Sequence, residues 1–235
     1  MADLEDKFPS QPPVPPASPS GSSPSSPSSP SSPSSPSSSS SLPPRELRGH
    51  GLLLRPWDPE SEADVEAWLR GVSDPEFKRW NTPLKPVDDI EDARESLRLR
   101  AEWDEEGQSV SFCVTEEGSG TRLGHIGINK IDPFMRVAVV GYWILPEARG
   151  RGAAGRALRL AARHAFDGLG LHRLELGHAL GHEASCRIAE RCGFPYEGTL
   201  RGAMFDAGRH DAFRDVHLHA RLATDPEPVT ATAAP

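Results

Sequence analysis

Between Leu52 and Leu222 the spacing of apolar residues changes more than once, and each change predicts a change of secondary structure. Leu52-Leu-Leu-Arg55 is a short apolar run stopped by Pro56, which predicts a first strand. From Ser61 to Arg70 the residues Ala63, Ala67 and Trp68 recur at helical spacing, with Gly71 as the expected stop. Asp74-Pro75 reads as an N-cap followed by proline in the first turn, opening a short helix through Trp80. The charged stretch Val87 to Trp103 carries Ile90, Leu97 and Leu99 and predicts a surface helix. Alternation then takes over. Ser109 to Thr115, a turn over 116–121 and Arg122 to Ile131 predict a hairpin. Arg136 to Leu145 is apolar on both faces and predicts a central strand. Gly150 to Phe166 returns to helical period, with Leu158, Ala161, Ala162 and Ala165 on one side. His172 to Ala179 predicts a strand, Ala184 to Cys192 a helix, and strands follow around Phe194 to Met204 and Asp215 to Leu222. The order implies a mixed α/β sheet with a parallel crossover.

Composition limits where this pattern applies. Between Pro9 and Pro44 almost every residue is Ser or Pro, so residues 1–46 have too little apolar surface to offset ordering and are expected to be a disordered tail. That tail lacks the basic start and apolar run of a signal peptide. Residues 47–223 are expected to be one folded domain, and 224–235 a second disordered tail. A net charge of -8 argues against direct nucleic-acid binding, which relies on Lys and Arg against phosphate. No apolar run is long enough to span a bilayer, so no membrane contact is expected. Cys113, Cys186 and Cys192 form no C-x-x-C pair and read as reduced thiols, which suits a cytoplasmic protein.

Gly150-Arg-Gly152-Ala-Ala-Gly155 satisfies the dinucleotide pattern G-x-G-x-x-G. Its context argues against that reading. Pro146 to Arg149 separates it from the preceding strand, Glu175 lies inside a strand where a ribose-binding acid should stand at the end, and little chain remains for a doubly wound domain. A small-residue loop opening a helix still presents unpaired N–H groups and a positive dipole end. Arg149, Arg151, Arg156, Arg159 and Arg163 crowd the same stretch of an acidic chain, which points to a polyphosphate ligand.

These residues also carry a family resemblance. Arg149-Gly-Arg-Gly152-Ala-Ala154 resembles the R/Q-x-x-G-x-G/A signature of the GNAT superfamily of acetyl-CoA-dependent N-acetyltransferases. Gly141-Tyr-Trp-Ile-Leu-Pro146 resembles the G-Y-W-L-x-P strand of the branch that includes ribosomal-protein alanine N-acetyltransferases. Ala184-Ser185, Ala189-Glu-Arg-Cys-Gly-Phe194 and Glu197-Gly198 resemble that branch's N-x-A-S…A-E-x-x-G-F…E-G block, and Leu54-Arg55-Pro56 its opening.

The resemblance implies an α/β fold with a GNAT-type mixed central sheet, splayed parallel strands and flanking helices. It implies transfer of an acetyl group from acetyl-CoA, as co-substrate, to a primary amine by direct attack. On that resemblance the amine would belong to a protein N-terminus or a small molecule. The splayed pair would be Val137 to Leu145 and His172 to Ala179, with backbone at Ile144 and Leu145 on the pantetheine and an N–H near Leu145 polarising the thioester. Gly150, Arg151, Gly152, Ala153, Ala154 and Gly155 would hold the pyrophosphate, with Arg149 and Arg151 adding charge. Ser185 matches the family serine proposed as the acid that protonates the leaving thiolate; at a helix start it is also placed for an N-terminal hydrogen bond.

Two positions depart from the family. His182 stands where a pantetheine-contacting Asn is usual, and Val139 and Val140 stand where the strand often carries an acid. Glu147, Asp206, His125 and Asp215 are candidate bases, beside deprotonation through water. The missing acid motivates an alternative, a catalytically silent acyl-CoA-binding or scaffold protein. Phe77 to Pro86 and Met204 to Arg214 would build the acceptor pocket, with Trp80 and Phe205 lining it or in the core. The assembly is expected to be a monomer or homodimer. His178 and His182, or His217 and His219, invite a metal, but no Cys or carboxylate stands at ligand spacing, so no metal is expected. Cys186 reads as a packing thiol.

Overall fold

The computed structural model describes residues 46–83 and 85–228. The expected N-terminal tail lies outside them apart from Glu46. One sheet organises the chain: β1 (Leu47–Gly49), β2 (Leu52–Pro56), β3 (Val110–Glu116), β4 (Arg122–Asp132), β5 (Val137–Ile144), β6 (Arg173–Ala179), β7 (Tyr196–Asp206) and β8 (Arg209–Leu222), in the order β1-β2-β3-β4-β5-β6-β8-β7. Every neighbouring pair is antiparallel except β5 and β6.

Helices cover both faces because successive strand residues point to opposite sides. Phe112, Val114, Ile126 and Val140 meet Leu158, Ala161 and Ala162 of α4 (Ala153–Arg163), with α5 (Glu183–Arg191) beside it. Cys113 and Trp143 meet Val65, Trp68, Ala93 and Leu97 of α1 (Glu62–Ser73) and α3 (Ile90–Glu105). Each fully buried Leu, Ile or Phe contributes about 1.5–3 kcal/mol of transfer free energy, so both layers stabilise the sheet. The short α2 (Pro75–Trp80) starts as expected, its N-cap Asp74 accepting from the Phe77 N–H at 3.1 Å.

Several expected boundaries move. Gly71 does not stop α1; it lies inside the helix, where an added Cβ would collide with the Trp143 ring, so the glycine permits close helix-on-sheet approach. The helix expected from Gly150 starts at Ala153 and passes into a π turn over His164–Gly168. β8 begins at Arg209, earlier than expected, because cross-strand pairing with β7 orders a largely exposed hairpin. Of the expected C-terminal tail, residues 224–228 lie among the described residues. Asp225 accepts from the Leu222 N–H at 2.8 Å and Glu227 pairs with Arg221 at 3.2 Å.

Candidate functional site

The parallel ladder of β5 and β6 holds only Val137 to Val139 against Arg173 to Glu175. Both strands run on, to Ile144 and Ala179, without pairing, so the sheet opens in its middle. Antiparallel pairing with β4 continues beside the opening. The Leu145 N–H donates to the Leu123 carbonyl at 2.8 Å, so it faces β4 and not the opening. The backbone facing the opposite edge is that of Ile144, whose carbonyl accepts from Arg149 Nε at 3.0 Å.

A 3-10 turn over Pro146–Ala148 leads from β5 to α4. Gly150 and Gly152 have φ of 74° and 71°, left-handed values that favour glycine, and a Cβ at either would meet open space. Gly152 is the N-cap and offers no side chain, and α4 has no acidic residue in its first turn. The first intrahelical bond runs from the Arg156 N–H to the Gly152 carbonyl, leaving the N–H groups of Ala153, Ala154 and Gly155 as the unpaired donors of the helix start. This is an anion cradle with room for its ligand.

The arginines divide. Arg149 pairs with Asp74, and Arg156 donates to the His50 carbonyl at 2.7 Å. Arg159 donates to the Arg191 carbonyl at 3.2 Å. Arg151 and Arg163 are exposed and pair with no carboxylate among the described residues, but Arg163 stands in the last turn of α4, so Arg151 is the free cation beside the cradle.

Across the opening stands α5. Ser185 is buried, and its Oγ shares a hydrogen bond of 2.9 Å with the Tyr142 hydroxyl from β5. It does not cap its helix; His182 is the N-cap residue and no side-chain cap bond forms. Burial pushes the Tyr142 hydroxyl up to about 12 although the Ser185 bond works against this, so it stays protonated at neutral pH. Tyr142 had been visible only as part of the Gly-Tyr-Trp run; its partner lies 43 residues away.

His182 stacks flat on Trp80, with ring centroids 4.5 Å apart and planes at 6°. Burial, with His178 nearby, lowers its pKa to about 4, which leaves the ring neutral. The imidazole therefore links α2 to α5. A cleft of about 520 Å³ lies between α1, α2, α3 and the β7–β8 turn, lined by Trp68, Phe77, Lys85, Arg100, Gly208 and His210 among others. It draws on both segments expected to build an acceptor pocket, while Trp80 and Phe205 are absent from its lining.

The candidate bases are engaged elsewhere. Glu147 pairs with Arg70, and Asp215 accepts from the Gly202 N–H at 2.9 Å. Asp206 accepts from the Ala207 N–H at 2.9 Å. His125 is buried, accepting from Trp57 Nε1 at 3.1 Å, and burial holds its pKa well below the usual value. The expectation that no cysteine joins the histidines fails in three dimensions: Cys186 Sγ lies 3.4 Å from His219 Nε2, with His178 and His217 in the same group.

Residues 51–195 match the family model described as the Acetyltransferase (GNAT) domain. The ribosomal-protein-serine acetyltransferase of Escherichia coli K12 is 29% identical over 136 residues, covering 58% of this chain and 73% of that protein. The spermidine N(1)-acetyltransferase of Vibrio cholerae is 28% identical over 105 residues, covering 45% and 61%. Among solved structures, RimL, a ribosomal L7/L12 alpha-N-protein acetyltransferase in complex with coenzyme A, aligns with a TM-score of 0.66 and 21% identity, over 75% of this chain and 97% of its own.

Proposed function

Because the chain belongs to the GNAT acetyltransferase family, we propose that it moves the acetyl group of acetyl-CoA to a primary amine, on a protein N-terminus or a small molecule, at the opening between β5 and β6. One observation carries the reading: an anion cradle at the α4 start adjoins a gap in the sheet that the hydroxyl pair of Tyr142 on β5 and Ser185 on α5 bridges.

The open glycines and free N–H donors fit a diphosphate, which needs close backbone approach. Ala153, Ala154 and Gly155 would bind it through N–H groups, with the Gly150-Arg151-Gly152 loop around it and the Arg151 charge beside it. Arg149 shapes the loop through Asp74 and the Ile144 carbonyl. When bound, acetyl-CoA supplies a thioester that a neutral amine can attack directly. Ile144 orients the arm along β5. Ser185 Oγ, held by Tyr142, would deliver a proton to the leaving sulfur and take one back that water supplies through the Tyr142 hydroxyl. The amine proton leaves through water, since Glu147, Asp215 and His125 are committed to other partners. The cleft beside α2 and the β7–β8 hairpin receives the acceptor. The protein works in the cytoplasm, where acetyl-CoA and reduced thiols coexist.

The test is acetyl-CoA-dependent thiol release against peptides with free N-terminal Ser or Ala, spermidine and small aminated compounds. Turnover on at least one is expected. Tight CoA binding with no turnover on any would favour a silent acyl-CoA-binding module and sink the reading. In the active pair, Ser185→Ala should lower kcat by roughly 100-fold or more, the usual scale of general acid catalysis, with KM for acetyl-CoA little changed.

A further inference from the structure

β6 and β8 pair so that His178 stands directly opposite His217. His219, two residues along β8, lies on the same face of the sheet. α5 packs on that face, and its first turn carries Cys186. One ligand atom from each of His178, Cys186, His217 and His219 falls within 4.8 Å of all the others.

The ring hydrogen bonds decide which nitrogens are available. His219 Nδ1 lies 3.0 Å from the Phe194 carbonyl oxygen. A carbonyl only accepts, so Nδ1 carries the proton and the Nε2 lone pair faces the thiol. His178 Nδ1 lies 3.1 Å from the Ala179 carbonyl, which fixes the same tautomer. His178 Nε2 is buried and has no hydrogen-bond partner. Ring packing, with His178 and His219 centroids 5.2 Å apart and Tyr196 5.0 Å from His217, accounts for the proximity but leaves the buried His178 Nε2 without a partner. An imidazole whose N–H is anchored on a backbone carbonyl while its other nitrogen points inward is the arrangement that supports a bound metal.

We infer that His178, Cys186, His217 and His219 form a tetrahedral site for a divalent cation of the zinc class. Three neutral imidazoles and one thiolate suit zinc and exclude magnesium or calcium, which take oxygen donors. Zinc bond lengths of about 2.0–2.3 Å place tetrahedral ligand atoms roughly 3.3–3.8 Å apart, so the group closes by about 1 Å of side-chain rotation. On binding, the Cys186 S–H bond breaks, a sulfur–metal bond forms and the proton passes to water. Glu190, whose Oε1 lies 4.0 Å from Sγ, can take that proton on its way out. Four protein donors leave no open position, so the ion is structural. It ties the first turn of α5 to β6 and β8, one residue from Ser185. The site uses nothing from the acyl-transfer reading and stands if that reading fails.

The test uses the full chain, with any affinity tag removed, stripped with chelator and reloaded with Zn²⁺ or Co²⁺ under a thiol-free reductant. One equivalent of zinc by elemental analysis is expected, and cobalt should give tetrahedral d–d bands with a thiolate charge-transfer band. Cys186→Ser should abolish that band and weaken zinc binding at least about 100-fold, since even supporting residues around a metal cost 10–100-fold. His172→Ala, at an exposed position away from the group, should leave both unchanged. Should Cys186→Ser fail to fold, zinc protection of Cys186 from iodoacetamide in the unmodified chain, read by mass spectrometry, answers the same question. Zinc far below one equivalent after loading, an octahedral cobalt spectrum, or unprotected Cys186 would overturn the site.

Discussion

At the start of α1 the chain supplies its own anion, and at the start of α4 it supplies none. Asp64, in the first turn of α1, is fully buried and accepts from Arg55 at 2.6 and 2.8 Å, from Arg122 Nε at 2.6 Å and from the Asp58 N–H at 3.0 Å. α4 has arginines nearby, left-handed glycines and free N–H groups, with no carboxylate in its first turn. Both starts carry the same positive helix end. The difference separates a site completed within the fold from one that needs an outside anion, and arginine content alone does not reveal it.

Removing the internal anion should have the largest effect. Asp64→Asn leaves Arg55 and Arg122 facing a neutral amide, a change that costs about 3–5 kcal/mol for a buried pair. Because the two arginines remain 23% and 29% exposed, the lower end is expected. For a domain of this size about 3 kcal/mol lowers Tm by roughly 6–12 °C. Burial alone would raise the Asp64 carboxyl, but the bonds from Arg55, the Asp58 N–H and Arg122 outweigh it and hold the group below its usual range. A depressed folded value means this stability is present above the unfolded carboxylate pKa, about 3.9, and is lost as pH falls below it. Melts at pH 7 and in acid should therefore show a steeper acid loss in the parent than in Asp64→Asn. Equal acid slopes would mean that the carboxylate is not the stabilising charge.

The α4 start was readable because its residues are adjacent in the chain. Arg149 to Gly155 announces a loop, a helix start and a place for phosphate, and the neighbouring apolar run identifies the central strand. Asp64 gave no such signal: an acid near the start of a helix is ordinary, and only the fold brings Arg55 and Arg122 to it. Tyr142 and Ser185 were each visible as motif letters, but their hydrogen bond depends on where α5 packs. The histidine group was lost for the same reason. Spacing along β8 pairs His217 with His219, whereas His178 joins through strand register and Cys186 through a helix. Gly71 shows the converse: glycine reads as a stop in sequence and serves as a contact in the helix. Local motifs therefore survive sequence reading, and sites assembled from several elements do not.

At α4 the first change to make is Gly152→Ala. The added methyl meets no atom, so the penalty is backbone alone, about 1–2 kcal/mol for a left-handed alanine. If the loop relaxes to avoid it, the N–H groups turn from their common direction and KM for acetyl-CoA should rise roughly 5–30-fold, the same energy expressed as binding. Gly118→Ala, at φ 96° in the β3–β4 turn with similarly open space, is the control. It should cost comparable stability and leave KM alone. A rise in KM for both variants would mean that the effect is general loosening, not lost donors.

Arg151→Gln asks the smallest question, whether the cradle needs a side-chain charge at all. An exposed charge contributes about 0.2–1 kcal/mol, so KM for acetyl-CoA should rise at most about fivefold. Its signature is salt dependence: the rise should be clear at low ionic strength and fade at high, because an exposed pair is screened. The parallel change Arg156→Gln should show no such pattern, since that guanidinium is spent on the His50 carbonyl. If both variants keep the parental salt dependence, the helix start binds through its N–H groups alone. The contrast with α1 would then be sharper still: arginines would complete the internal anion site and contribute nothing to the external one.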